Sequence, residues 1–252
     1  MVTTATRQRS QLDEVLERGI IRIAVTWSPP PETGFPPEFW IDGDGEAQGI
    51  AIEIGKILAS DLGVQPEWVN VAWEDQFAAL FRGDVDLLPK PSLTPARALE
   101  MEFSNRLMAF EVVAIVRRDS GLTIERLREP GRRLSAWKGS SCVGTARWSF
   151  PDAEIIEYED ENEGRRAVSE GLVDGIVTDA VTKVAMEQRP DIDFIRKADG
   201  QKVVLAREYG HFAVRIGDQR FLNYLNSWIS YRRADGVLDY WTEDWWLSFM
   251  AH

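Results

Sequence analysis

Residues 83–104 read GDVDLLPKPSLTPARALEMEFS. The stretch opens with Gly83 and a short apolar run, Val85, Leu87 and Leu88, of strand type. Pro89 and Pro91 end that strand, because proline cannot donate to a ladder. Ser92, Leu93 and Thr94 then lead into Pro95. Thr94 suits a helix N-cap and Pro95 the first helical position, where a missing N–H costs nothing. Arg97 is therefore expected in the first turn of a helix. Two readings of it stay open. It is a solvated arginine slightly opposed to the helix dipole, or it joins the N–H groups of the helix start to hold a carboxylate through a forked pair of hydrogen bonds.

Upstream of this stretch the pattern is α/β. Leu12 to Glu17 reads as a short amphipathic helix stopped by Gly19, and Ile20 to Val25 as a strand. Residues 27–40, WSPPPETGFPPEFW, form a proline-rich loop with four aromatics, of which Phe35, Phe39 and Trp40 are expected to cap the core or stiffen the loop. Gly43 and Gly45 mark a hairpin turn. Ile50, Ile54, Ile57, Leu58 and Leu62 fall at helical spacing before Gly63. Glu67 to Val71 is a strand, and Trp73, Phe77, Leu80 and Phe81 make one face of the next helix. This βαβαβ order predicts a parallel sheet with helices on its faces.

Downstream the order repeats. Phe110 to Val116 is an apolar, β-branched run, followed by a linker with a short helix over 119–130. Strands are expected at 134–137, 155–158 and 173–178, with helices running to Trp148 and over 161–171, and another opening at Asp179. The chain returns near Glu208 to Val214 and enters a long helix capped by Asp218. Trp241, Trp245, Trp246 and Phe249 lie at helical spacing near the end and predict a packing stripe. The expected domains are 11–111 with 209–252 as lobe 1, and 112–208 as lobe 2.

Composition narrows the function. The chain has 252 residues, 44% of them hydrophobic, enough for a substantial core in one large or two modest domains. The net charge of -12 argues against nucleic acid or an anionic membrane as partner. Cys142 is the single cysteine, so no disulfide forms within the chain. With two histidines and no HExxH or paired cysteines, neither a catalytic metal nor another cofactor is expected. No apolar run approaches a membrane span. The polar opening MVTTATRQRS is no signal peptide, so either a leader has been removed or the protein stays in the cytoplasm.

Three polar sites fall at strand-to-helix junctions: Ser92–Arg97, Gly139–Ser141 and Asp179. In open α/β sheets ligands collect at the carboxyl ends of strands. Taken alone, Ser140 and Asp179 are ordinary helix caps.

Ser92, Thr94 and Arg97, followed by Glu102-Phe103-Ser104, resemble the S-x-T-x-x-R segment of the family 3 extracellular solute-binding proteins. These are the amino-acid receptors of ABC transporters. The resemblance runs from about Leu12 to Trp246 and implies a two-lobe periplasmic-binding-protein-like II fold with a hinge of two crossing strands. It implies that Arg97 clasps a ligand's α-carboxylate, that the Gly139-Ser140-Ser141 turn closes onto the same carboxylate, and that Asp179, five residues after Asp174, takes the ammonium group. Trp27 matches the family's aromatic platform. Lys90 stands where the family usually has a small residue. It is solvated, or neutralises a nearby carboxylate, or holds a second carboxylate of the ligand.

The chain start, VTDAV and the Trp-rich end resemble cyclohexadienyl dehydratases, enzymes on the same fold that eliminate water from arogenate or prephenate. Their general acid, a glutamate, is matched here by Thr182, and the Asn of their turn by Ser141. Threonine cannot protonate a departing hydroxyl at neutral pH. The reading is thus a monomeric amino-acid receptor with an ABC permease as partner. A lyase on the same fold and a sensing domain cut from a regulator are the alternatives.

Overall fold

A computed structural model describes residues 9–27, 34–35, 37–159, 161–179 and 183–250. Thr182 and Ala180, which carry the comparison with the dehydratases, lie outside these residues. The chain divides into two compact units, Met1–Met108 with Gly210–Trp246 and Ala109–Tyr209 with Leu247–His252. The segment from Leu247 therefore groups with the second unit, whereas the sequence reading placed all of 209–252 in the first. Lys183 Nζ donates to Ser248 O at 2.9 Å and fastens that tail.

The first unit starts with α1 (Gln11–Arg18), capped by the Ser10 hydroxyl, and β1 (Ile20–Val25). Strands β2 (Gly34–Phe35), β3 (Phe39–Ile41) and β4 (Ala47–Gln48) form a small antiparallel sheet. Phe39 is buried, as its expected core role requires. Helix α2 (Ile50–Leu62) follows Gly49, whose φ of 118° brings its Cα against the Glu38 carbonyl; a Cβ there would lie 2.4 Å from that oxygen. Only glycine fits. The first N–H groups of α2 then donate to Pro37 O and Glu38 O, which fixes Glu38 in place.

β5 (Gln65–Asn70) pairs parallel with β1. A 3₁₀ turn over Trp73–Asp75 precedes α3 (Gln76–Arg82), which Gly83 ends. The expected face is therefore shifted. Gln76, Ala79 and Leu80 are buried, Phe77 is half-buried, and Phe81 is 72% exposed, because the helix begins at Gln76 and the phase of its stripe changes.

The quoted stretch then runs extended beside β1. It is no regular strand but a series of bridges, Ile23 to Leu87 in parallel, and Leu88 to Ala213 and Ser92 to Gly210 antiparallel. Val85, Leu87 and Leu88 are fully buried there, and each such side chain contributes about 1.5–3 kcal/mol of transfer energy. The helix expected after Pro95 is a single 3₁₀ turn, Arg97–Leu99. Thr94 caps it as foreseen, its hydroxyl accepting from Arg97 N at 3.2 Å. The turn does not propagate because it buries no apolar face: Leu99 is 81% exposed. No helix macrodipole acts at Arg97.

β6 (Met101–Arg117) carries the chain into the second unit. There α4 (Ile124–Leu127), β7 (Arg133–Trp137), α5 (Ser141–Ser149), β8 (Glu154–Tyr158), α6 (Glu161–Ser169), β9 (Gly175–Thr178), α7 (Lys183–Glu187) and β10 (Ile192–Phe194) follow. The sheet order is β10-β6-β9-β7-β8, with β11 (Val204–Arg215) pairing β6. β7 lies parallel to β8 and β9, while β6 is antiparallel to β9 and β10. Asp174 locks β7 beside β9 by accepting from Arg133 N at 2.8 Å and pairing with Arg132 at 3.2 Å.

β11 returns the chain to the first unit, where α8 (Gln219–Ala234) is capped by the Asp218 carboxylate and buries Phe221, Leu222, Leu225, Trp228 and Ile229. A short α9 (Val237–Asp239) and a π-helical turn over Tyr240–Trp245 follow, and α10 (Trp246–Phe249) runs from Trp246 of the first unit into the tail that groups with the second. The Trp241 and Trp245 rings lie 5.2 Å apart and Trp246 is buried, so the terminal tryptophans do pack. Among the described residues no helix is long and apolar enough to cross a membrane.

Candidate functional site

In the first unit, the residues singled out from the sequence are Trp27, Lys90, Ser92, Thr94 and Arg97. Trp27 directly follows β1, and its backbone is clamped by one side chain: Asn70 Oδ1 accepts from Trp27 N at 3.1 Å, and Asn70 Nδ2 donates to Trp27 O at 3.0 Å. The indole rests on the cluster of Val25, Phe39, Ala51 and Ile52. Nothing in a strand-end asparagine announces this role in the sequence.

Arg97 is buried, with 9% of its surface exposed. Its Nη1 donates to Ser92 O at 2.9 Å, and its guanidinium carbon sits 4.6 Å from the centre of the Phe77 ring. The simplest alternative from the sequence, a solvated arginine, does not describe this side chain. Ser92 is buried beside it. Lys90 pairs with Glu38 at 2.5 Å and lies 5.7 Å over the Trp246 ring. This pair is the carboxylate-neutralising role among the three left open for Lys90. The partner comes from the loop fixed by Gly49, which spacing along the sequence could not show.

In the second unit, the residues singled out from the sequence are Ser140, Ser141 and Asp179. Gly139 takes the left-handed conformation (φ 72°) that turns the chain from β7 into α5. Ser140 Oγ donates to Trp137 O at 2.6 Å, and Ser141 Oγ donates to the Glu208 carboxylate, which also accepts from Thr145 Oγ1 at 3.3 Å. Both serine hydroxyls are thus engaged inside the unit, and donation to a ligand requires each to leave its present acceptor. Glu208 as the acceptor of Ser141 was not read from the sequence. Asp179 is half-buried at the end of β9. Glu161 accepts from Arg165 at 2.8 Å and from the Thr178 hydroxyl.

These carboxylates bear on Cys142. Burial pushes its thiol pKa well up, and Asp179, Glu208 and Glu161 push it further. The group is a neutral thiol, unfit as a nucleophile. His211 is also buried; desolvation holds its pKa below the ordinary value, against a 2.7 Å contact of Nδ1 with Ser104 O. Among the described residues no group of three or more potential ligands could hold a metal ion.

The strand order and the two α/β units define a mixed α/β fold of the periplasmic-binding-protein type II class. Residues 31–248 match the model of the bacterial extracellular solute-binding proteins, family 3, and the chain belongs to that family. It is 23% identical to the L-arginine-binding protein of Pseudomonas aeruginosa over 81% of this chain and 82% of that protein. It is 21% identical to the cyclohexadienyl dehydratase of the same organism, over 94% and 87% of the two chains. The crystal structure of an ancestral amino acid-binding protein, a precursor of cyclohexadienyl dehydratase, superimposes with a TM-score of 0.77 at 28% identity, covering 94% of this chain and all of that one.

Proposed function

We propose that this chain is a solute-binding protein that captures a small amino-acid-like carboxylate outside the cytoplasmic membrane and delivers it to an ABC permease. Arg97 takes the ligand carboxylate, Asp179 its ammonium group, and Trp27 offers an aromatic surface to the rest. The observation that carries the reading is the setting of Arg97: a buried arginine whose guanidinium carbon lies 4.6 Å from the centre of the Phe77 ring and whose Nη1 donates to Ser92 O. Membership in a family of extracellular solute-binding proteins supports the location and the transport role. The names of relatives favour a proteinogenic amino acid, and L-arginine is the first to try. A thermal-shift screen against amino acids, their analogues and cyclohexadienyl acids tests this. A ligand at a hundred times its dissociation constant stabilises the fold by about 2.7 kcal/mol. A screen with no shift for any amino acid sinks the proposal.

The dehydratase relative supports a second reading, elimination of water from arogenate or prephenate. That reaction needs an acid to protonate the departing hydroxyl, and the matching position holds Thr182. Turnover of either substrate is expected to stay at the uncatalysed rate. Formation of phenylalanine or phenylpyruvate above that rate, followed by chromatography, would reject the receptor reading in favour of a lyase.

A further inference from the structure

We infer that Phe77 is a positioning residue for the binding site, its ring holding the Arg97 guanidinium in the plane in which it meets a ligand carboxylate; this rests on the receptor reading of Arg97. The guanidinium carbon lies 4.6 Å from the ring centre, well inside the range of a cation–π contact. In the arrangement inferred, with the ring against the face of the guanidinium, none of the in-plane N–H donors is consumed. The ring restricts rotation while leaving the edge chemistry to oxygen acceptors, of which Ser92 O is one.

The ring is itself held. Phe77 is half-buried and packs against the cluster of Ala24, Leu80, Val85, Leu88 and Ala213. The preceding residue ties α3 to the strand ends, since Gln76 Nε2 donates to Thr26 Oγ1 at 2.8 Å and that hydroxyl donates to Val71 O at 2.7 Å. The strands thus fix α3, α3 fixes the ring, and the ring fixes the cation. A leucine at 77 fills the apolar cluster but offers no π face. A tyrosine offers both.

The test uses Phe77→Leu and Phe77→Tyr beside the parent, with three readouts. Calorimetric titration with L-arginine is expected to show Phe77→Leu weakened roughly five- to tenfold and Phe77→Tyr within about twofold of the parent. Thermal unfolding checks that both variants fold; if Phe77→Leu does not, Phe77→Met replaces it. NMR of the ligand-free protein follows the Arg97 Nε–Hε signal, identified by its loss in Arg97→Lys. The ring current shifts that signal upfield in the parent and in Phe77→Tyr, and the shift and the side-chain order are lost in Phe77→Leu. A folded Phe77→Leu that keeps the parent's affinity and Arg97 signal overturns the inference while leaving Arg97 as the carboxylate site. A parent that binds no amino acid overturns the receptor reading instead, and the NMR comparison then decides whether the ring holds Arg97.

Discussion

Replacing Arg97 with lysine is expected to weaken amino-acid binding almost as far as replacing it with alanine. Lysine keeps the charge and can keep a cation over the Phe77 ring, which lies 4.6 Å from the guanidinium carbon. It cannot keep the planar fork that gives a carboxylate two parallel N–H···O bonds. Loss of one partner of a desolvated, hydrogen-bonded charge pair costs on the order of 2–5 kcal/mol, enough to abolish binding at ordinary ligand concentrations. The fold is expected to survive. Arg97→Ala leaves Ser92 O without its present 2.9 Å donor, a cost of about 1–3 kcal/mol. Because Arg97 is buried even without a ligand, that cost is larger than for a solvated surface arginine. Calorimetry with the amino acid found in the thermal screen, beside melting curves of both variants, separates the effects. Parental affinity in Arg97→Lys makes Arg97 a stacked structural residue and ends the carboxylate reading.

What the sequence could and could not show follows from the range of the forces involved. Periodicity located the strands and helices of β1–α2–β5–α3 and of β7–α5–β8–α6–β9, because burial repeats every two residues in a strand and every three to four in a helix. The run at 85–88, by contrast, pairs only through isolated bridges. Ile21, Ile23, Ile54 and Leu58 are buried as their spacing predicts. Capping was legible too: Thr94 and Asp218 each bond the backbone N–H three residues ahead. The length of the element after Thr94 was not, since it depends on whether Leu99 finds a surface to cover, and it finds none. The site failed to be legible where partners come from distant segments. Lys90 meets Glu38, Ser141 meets Glu208, and Trp27 meets Asn70. Phe77 was read as one more apolar residue on a helix face, and only the fold sets it against a guanidinium.

The largest stability loss is expected at Asp86, inside the stretch whose reading decides the fold. Its side chain is fully buried, a location in which a carboxylate survives only if its charge and lone pairs are met. They are. Oδ1 accepts from Gln11 Nε2 at 3.0 Å and from Arg22 Nη2 at 2.8 Å, while Oδ2 accepts from Arg22 N at 2.8 Å and from the Arg18 guanidinium. One carboxylate therefore joins α1, β1 and the extended segment after α3. Burial alone would raise its pKa, but the bonds from the Arg22 side chain and backbone and from Gln11 outweigh it and hold the carboxyl below the ordinary aspartate value. Removing one partner of such a buried set costs about 3–5 kcal/mol. The lower end applies to Asp86→Ala, because the Arg18 and Arg22 side chains are 32% and 26% exposed and regain water. Asp86→Asn recovers little, since its amide puts N–H donors against donors. A carboxyl whose folded pKa is depressed contributes stability that is complete above the unfolded value, about pH 4, and is lost as pH falls through the folded one. Urea denaturation at neutral pH is expected to show the full loss in both variants, and the gap from the parent should narrow on acidification below about pH 4. An Asp86→Asn protein as stable as the parent at neutral pH would mean that the charge is dispensable and that shape alone holds these three segments together.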